Sequence, residues 1–190
     1  MSEAKVPGYS SDERAPLPPP RDLLIRAEDR VRLQEESARH PWNPRSEIHG
    51  YMLGRRAGLA RVGVNLLRVP PGKESFAFHR HLREEEFAFV LSGKGVVDVG
   101  DETFEIGPGD FLGFPAGSHP HNLRNTGRED LVYLSGGENR NAEIAEFPRD
   151  GKVMVRVGRD VTVYPRAAGE PFWPRHGGAE GSDDVGPHEG

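Results

Sequence analysis

Short runs of alternating apolar and polar residues fill the middle of the chain and predict β-strands. The first run, residues 59–69, is rich in Leu and Val and ends at Pro70-Pro71-Gly72, a sequence typical of a turn. Further runs are bounded by Gly, Pro, Asn and Asp, and they predict strands at residues 76–81, 86–92, 95–99, 103–106, 110–114, 121–125 and 131–135. Short strands at this spacing predict a sandwich or barrel, and hence an all-β fold.

Outside this region the pattern is weaker and predicts extensions rather than a second domain. The first residues lack apolar periodicity and end in Pro18-Pro19-Pro20, whereas the last are Gly-rich and acidic. Between 21 and 39, a short strand followed by a helical turn is expected. The expected division is a disordered arm at 1–20, an N-terminal extension packing on the barrel at 21–58, the barrel at 59–136, a C-terminal extension at 137–175 with a hairpin of strands 152–157 and 161–164, and a disordered tail at 176–190.

Composition and charge exclude several classes of protein. The 190 residues include 24 Gly and 17 Pro, which suits one turn-rich β domain with extensions. A formal net charge of −5 leaves no basic stripe for phosphates, so we expect no nucleic-acid partner. There is no apolar run of membrane-spanning length and no signal-peptide pattern, so we expect no membrane association and a cytoplasmic location. The absence of Cys excludes disulfides, thiolate ligands and a cysteine nucleophile.

Three histidines and a glutamate provide a set of candidate metal ligands. His79 and His81 are two residues apart in a predicted strand, so their side chains point to the same face. Glu86 is expected to begin the next antiparallel strand and to face the same cavity, and His121 supplies a third imidazole. Three nitrogen donors with one carboxylate suit a divalent transition metal better than Ca²⁺ or Mg²⁺.

Two other carboxylates compete with Glu86 for the ligand role. Glu85 has the opposite strand parity, and Glu84 is expected to lie in the turn. The three consecutive glutamates could also be a solvated charge run, and a single half-buried His is more often a hydrogen-bonded residue than a ligand. Buried ionisable groups are costly unless they are paired or bound to metal, which favours the metal interpretation.

The same residues resemble the two sequence motifs of the cupin superfamily. The first motif is matched by Gly72, His79, His81, Glu86 and Gly93, with six residues between Gly72 and His79 where the family usually has five. The second is matched by Gly109, Pro115, Gly117, His121 and Asn125, with a gap before His121 that is one residue longer than usual. The resemblance covers about residues 59–136, and the two motifs follow each other in the family's order.

The resemblance implies a cupin-type double-stranded β-helix, a jelly-roll barrel, with an N-terminal arm and a C-terminal extension. It implies one divalent metal, Fe, Mn, Ni or Zn, held by His79, His81, Glu86 and His121. The regular spacing from His121 to Asn125 makes His121 the ligand and His119 its neighbour. No separate catalytic base stands out in the sequence, and His119 is the nearest candidate.

A metal with open coordination positions could act on a small oxygenated molecule, such as a sugar or an organic acid. Isomerase, lyase and dioxygenase chemistry are all compatible with such a site. Two alternatives stay open: a non-catalytic small-molecule binding or sensor module, and a structural, dimerising cupin in which the metal is a staple. Exposed sheet edges and the N-terminal arm favour a homodimer.

Overall fold

The structure, a computed structural model, describes residues 18–171. The expected tail at 176–190 and nearly all of the expected arm at 1–20 therefore lie outside the described residues. Thirteen strands form the framework of the described chain: β1 (Glu36–Ala38), β2 (Ile48–Tyr51), β3 (Val62–Val69), β4 (Arg80–His81), β5 (Glu86–Ser92), β6 (Gly95–Val99), β7 (Glu102–Ile106), β8 (Phe111–Phe114), β9 (His121–Arg124), β10 (Leu131–Glu138), β11 (Ala142–Phe147), β12 (Lys152–Val157) and β13 (Asp160–Pro165).

Helical structure in the described part of the chain is confined to single turns. Residues 18–171 contain one short α-helix, α1, at Leu53–Arg56, and four 3-10 turns, at Pro20–Leu23, Arg30–Arg32, Pro148–Asp150 and Arg166–Ala168. Within residues 18–171, no helix has the length and apolar character that crossing a membrane requires. The predicted all-β class is confirmed.

The strands form three antiparallel sheets. The largest has the order β1-β2-β3-β10-β5-β8, the second β13-β12-β11-β4, and the third β7-β6-β9. The eight-residue strands β3 and β10 pair along their full length, and β10 also pairs with β5. Because long-range pairing sets the register of these strands, side chains far apart in sequence meet in the interior.

The core lies between the sheets and follows the two-residue period of the strands. Along β5, Ala88 and Val90 are buried and Phe89 between them is exposed, so positions 86, 88 and 90 share the inner face. Val97 and Leu131 belong to the same buried cluster. A second, smaller cluster consists of Ala77, Ala145 and Phe147, with Trp42, Phe76 and Met154 packed against it. This cluster joins the chain before β4 to β11.

Four details differ from the sequence expectation. Between 21 and 39 the order is reversed, because Pro20 begins a 3-10 turn and the strand, β1, comes only at residue 36. The strand expected at 76–81 is reduced to β4, since His79 forms an isolated bridge with His121 instead of continuing a ladder. Strands β4 and β5 are not paired with each other: β4 pairs with β11, and β5 pairs with β10 and β8. Strands β2 and β11 were not predicted.

Candidate metal centre

The four predicted ligands lie where the three sheets meet. His81 is in β4 of the four-stranded sheet, Glu86 begins β5 of the six-stranded sheet, and His121 begins β9 of the three-stranded sheet. His79 precedes β4, and its backbone exchanges two hydrogen bonds with His121: the His79 N–H donates at 3.1 Å and the His121 N–H donates at 2.7 Å. This bridge fixes two histidines from distant parts of the chain next to each other.

One oxygen of Glu86 faces all three imidazoles. Its Oε2 atom lies 3.4 Å from His81 Nε2, 3.4 Å from His121 Nε2 and 3.9 Å from His79 Nε2. Candidate ligand atoms of His79, His81 and Glu86 also lie within 4.8 Å of one another. The side chains that the sequence singled out therefore converge on one point.

The protonation states of His79 and Glu86 are those of metal ligands. Burial lowers the pKa of His79 to about 3, so its imidazole is neutral. Its Nδ1 lies 2.8 Å from the carbonyl oxygen of Ala77, and because a carbonyl only accepts, Nδ1 carries the proton and Nε2 keeps its lone pair. Burial raises the pKa of Glu86, but its interactions with the three surrounding imidazoles, that with His121 first, outweigh burial and bring it to about 2. A neutral imidazole with a free Nε2 lone pair and an anionic carboxylate bind a divalent metal without first losing protons.

The other sequence candidates lie away from this point. His119 is exposed, and its ring packs over the turn at Gly100, where a Cβ atom would lie 3.3 Å from His119 Nδ1. The structure thus does not bring its ring together with the four converging side chains, although its carbonyl oxygen is 3.4 Å from His121 Nδ1. Glu85 is exposed. Glu84 is buried, but it faces the opposite nitrogen of His81, with Oε2 at 3.9 Å from Nδ1.

Two aromatic rings hold the imidazoles in place. Phe114 stacks on His121 with ring centroids 3.5 Å apart and an interplanar angle of 3°. Phe147 stacks on His79 at 5.8 Å and 18°. Phe147 belongs to a strand that was not predicted. Both rings restrict the orientations that the imidazoles can adopt.

Sequence reasoning also missed a carboxylate. Glu143 on β11 has a fully buried side chain, and its Oε1 lies 3.4 Å from His81 Nδ1. In the structure residues 143, 145 and 147 of β11 are buried and their neighbours are not, but the sequence does not show this alternation because a Glu is on the buried face. A Glu on the buried face of a strand is rare unless it is paired, and here the carboxylate lies beside His81.

The cluster opens into a cavity of about 320 Å³. Polar groups in its wall, apart from the four clustered side chains, come from Ser75, Asn122, Tyr133 and Ser135. Burial raises the pKa of Tyr133, so its phenol stays protonated. Among the described residues, neither Lys nor Arg lines this cavity. The rest of the wall is apolar: Ile48, Phe76, Phe87, Ala88, Phe114, Leu123, Ala145, Phe147 and Met154.

One class of small jelly-roll proteins has an antiparallel β-barrel in which an H-x-H pair, a glutamate and a third histidine face one cavity. The chain belongs to the cupin superfamily. The family model for the cupin domain matches residues 65–136. The predicted family and the predicted double-stranded β-helix are thereby confirmed.

Solved structures extend the similarity beyond the matched domain. A crystal structure from Acidithiobacillus ferrooxidans, provisionally named a sugar phosphate isomerase, is 33% identical with a TM-score of 0.77, over 80% of this chain and 98% of that one. A cupin-superfamily sugar phosphate isomerase from Silicibacter pomeroyi is 26% identical with a TM-score of 0.61, over 64% and 78%. An uncharacterized protein of Methanocaldococcus jannaschii is 33% identical over 66 residues. The alignment spans 51% of that curated relative, about half its length.

Proposed function

We propose that His79, His81, Glu86 and His121 hold one divalent transition metal, Fe, Mn, Ni or Zn, and that the metal and the cavity act on a small oxygenated molecule. The observation that carries the proposal is the convergence of three imidazole Nε2 atoms within 3.9 Å of one Glu86 oxygen. When bound, such a metal polarises a carbonyl or hydroxyl oxygen of the ligand.

The charge around His81 also fits a dication. Three carboxyl groups surround its ring, those of Glu84, Glu86 and Glu143, and one guanidinium, that of Arg156, hydrogen-bonds to Glu84. With the carboxyls ionised, the cluster carries two more negative than positive charges. Uncompensated buried charge is costly, and a divalent cation at the Nε2 atoms would balance it.

The cavity wall favours a ligand with oxygens at one end and a carbon skeleton at the other. Tyr133 keeps its proton and can donate a hydrogen bond, and Ser75 lies in the same wall. The apolar rings can cover the carbon skeleton. No cation among the described wall residues is available for a phosphate group. The named activity of the two isomerases supports a sugar-type ligand, and the wall favours its unphosphorylated form or an organic acid.

A binding or sensor module without turnover is the second candidate. Apart from the four proposed ligands, Tyr133 is the one titratable side chain among the described wall residues. Proton transfer between carbon atoms of a ligand needs a group that exchanges its proton near neutral pH, and a phenol whose pKa is raised does so poorly.

The homodimer and the cytoplasmic location predicted from the sequence stay predictions.

The metal is tested by elemental analysis of protein purified without an affinity tag. We expect about one equivalent of metal in the unchanged protein and less than about a tenth of that in the double variant His79→Ala/His81→Ala, because two of four ligands are lost. His119→Ala is the matched control, since it removes an exposed imidazole and should retain the metal. Equal metal content in the double variant and the control would contradict the assignment.

Turnover is tested with three probes: an aldose phosphate, the corresponding free aldose and a small hydroxy acid. Calorimetry measures binding to the metal-loaded and metal-stripped proteins, and NMR in D₂O detects isomerisation or deuterium uptake. We expect metal-dependent binding, with the unphosphorylated probes bound at least as tightly as the phosphate. Binding without chemical change would favour the sensor module. Equal affinity of the probes for the metal-loaded and metal-stripped proteins would contradict both functions.

A further inference from the structure

A buried carboxylate lies on the side of His81 that faces away from the proposed metal position. The Nε2 atom of His81 faces Glu86, whereas its Nδ1 atom lies 3.4 Å from Glu143 Oε1. The side chain of Glu143 has no exposed surface. Within the described residues, three buried side-chain polar atoms have no hydrogen-bond partner, and two of them are His81 Nδ1 and Glu143 Oε2.

The imidazole and the carboxylate are chemically complementary, and the carboxylate oxygen that faces Nδ1 is Oε1, which also accepts a hydrogen bond from the Leu82 N–H. An ionised carboxylate oxygen can only accept a hydrogen bond, and an imidazole Nδ1 can donate one when it carries the ring proton. A hydrogen bond from Nδ1 to Oε1 gives the unpartnered imidazole nitrogen an acceptor, and it assigns the ring proton of His81 to Nδ1. The lone pair is then on Nε2, which points at Glu86.

We propose that Glu143 is a positioning residue for His81: its carboxylate accepts the Nδ1 proton and thereby holds Nε2 ready to ligate. The inference rests on the proposed metal site and adds to it a residue outside the matched cupin domain, which ends at residue 136. Strand β11, which follows the matched domain, therefore contributes a side chain to the site as well as packing against β4.

Glu84 is the competing partner, and its own contacts argue against it. Glu84 Oε1 accepts hydrogen bonds from Arg156 Nη2 and from the backbone N–H of Arg140, both at 2.5 Å. Its other oxygen is 3.9 Å from His81 Nδ1, beyond hydrogen-bond distance. Arg156 thus holds Glu84 Oε1 away from the imidazole, and Glu143 Oε1, at 3.4 Å, is the nearer acceptor for Nδ1.

Backbone pairing holds Glu143 at this position. In the β4–β11 ladder Ala145 is opposite His81, and the Leu82 N–H donates to the carbonyl oxygen of Ile144 at 2.9 Å. The Leu82 N–H also lies 2.9 Å from Glu143 Oε1. The carboxylate is therefore tied to the residue that follows His81, which limits how far the two can separate.

The test uses the full chain with ¹⁵N-labelled histidine. In metal-free protein we expect the His81 resonances of an Nδ1–H tautomer. In Glu143→Gln the negative charge beside Nδ1 is lost while the Glu86 carboxylate stays beside Nε2, so the tautomer should shift towards Nε2–H. Metal affinity, measured by competition with a chelator, should fall by about 10–100-fold.

The matched control is Glu146→Gln, which makes the same change on the same strand. Glu146 pairs with Arg80 and Arg166, so its loss should leave the His81 tautomer and the metal affinity unchanged. An Nε2–H tautomer in the unchanged protein would overturn the inference even if Glu143→Gln does not fold. An unchanged tautomer in Glu143→Gln would also overturn it, whether or not affinity falls. Absence of metal from the unchanged protein, with the Nδ1–H tautomer present, would instead contradict the proposed function.

Discussion

Three glycines near the two cupin motifs form a series that separates backbone strain from steric exclusion. Gly93 and Gly109 both have positive φ, +83° and +96°. A Cβ at Gly93 would collide with the carbonyl oxygen of Asp130 and lie 2.9 Å from the Cα of Leu131, whereas a Cβ at Gly109 meets nothing within 4 Å. Gly107 has open space as well, and its φ is not positive.

The expected costs follow from these surroundings. Gly109→Ala carries only the strain of an L-residue at positive φ, about 1–2 kcal/mol. Gly93→Ala carries the same strain and also displaces backbone beside Leu131, which is fully buried, so overpacking adds about 1–3 kcal/mol. Gly107→Ala should be neutral or stabilise by up to about 1 kcal/mol, because alanine restricts the unfolded chain.

Thermal unfolding followed by circular dichroism, together with urea titrations, measures the series. At about 2–4 °C per kcal/mol for a chain of this size, Gly109→Ala should lower Tm by about 2–8 °C, and Gly93→Ala by about 4–20 °C. Gly107→Ala controls for the loss of glycine itself. If Gly93→Ala and Gly109→Ala lowered the free energy of unfolding equally, the close approach of Gly93 to Asp130 would not be what requires glycine there.

Two further predictions concern the stacked ring and an ion pair. Phe114→Ala removes the buried ring that stacks on His121, so it should lower the free energy of unfolding in urea by about 3–5 kcal/mol and weaken metal binding. Phe114→Leu should lower the free energy of unfolding by less. Full metal affinity in the alanine variant would contradict the role of the ring in holding His121. The hydrogen bonds from Arg68 lower the pKa of Glu35 below 4.5, so the stability that this pair contributes is present above about pH 4.5 and is lost as pH falls through the lower folded value. Glu35→Gln should therefore flatten the decline of the urea midpoint in acid, and an unchanged pH profile would refute the linkage.

The central strands could be predicted because the alternation and the turn residues that define each strand are neighbours in the sequence. Strand β6 has the predicted bounds, 95–99, and β5 begins and ends as predicted, since glycine turns delimit a clear alternation. The parity of Glu86 relative to Ala88 also follows from the two-residue period. The convergence of His79 with His121 could not follow from periodicity, because it depends on a bridge between distant segments.

The C-terminal part of the site could not be predicted for a different reason. Strand β11 has the burial pattern of a half-buried strand, but one of its three buried positions is Glu143. A carboxylate on the inner face conceals the alternation that a search for apolar residues uses. The feature that hid the strand is thus the feature that we connect to function.

The position of Glu143 depends on register, and the ladder between β4 and β11 is too short to set register by itself. That ladder has two residue pairs, whereas β11 and β12 pair at six positions from Ala142–Val157 to Phe147–Lys152. A slip of one residue would turn Ile144 towards His81 and Glu143 to the opposite face, because side chains alternate along a strand. The pairing of β11 with β12 includes none of the four proposed ligands. It nevertheless fixes β11 and so helps to determine which side chain reaches His81.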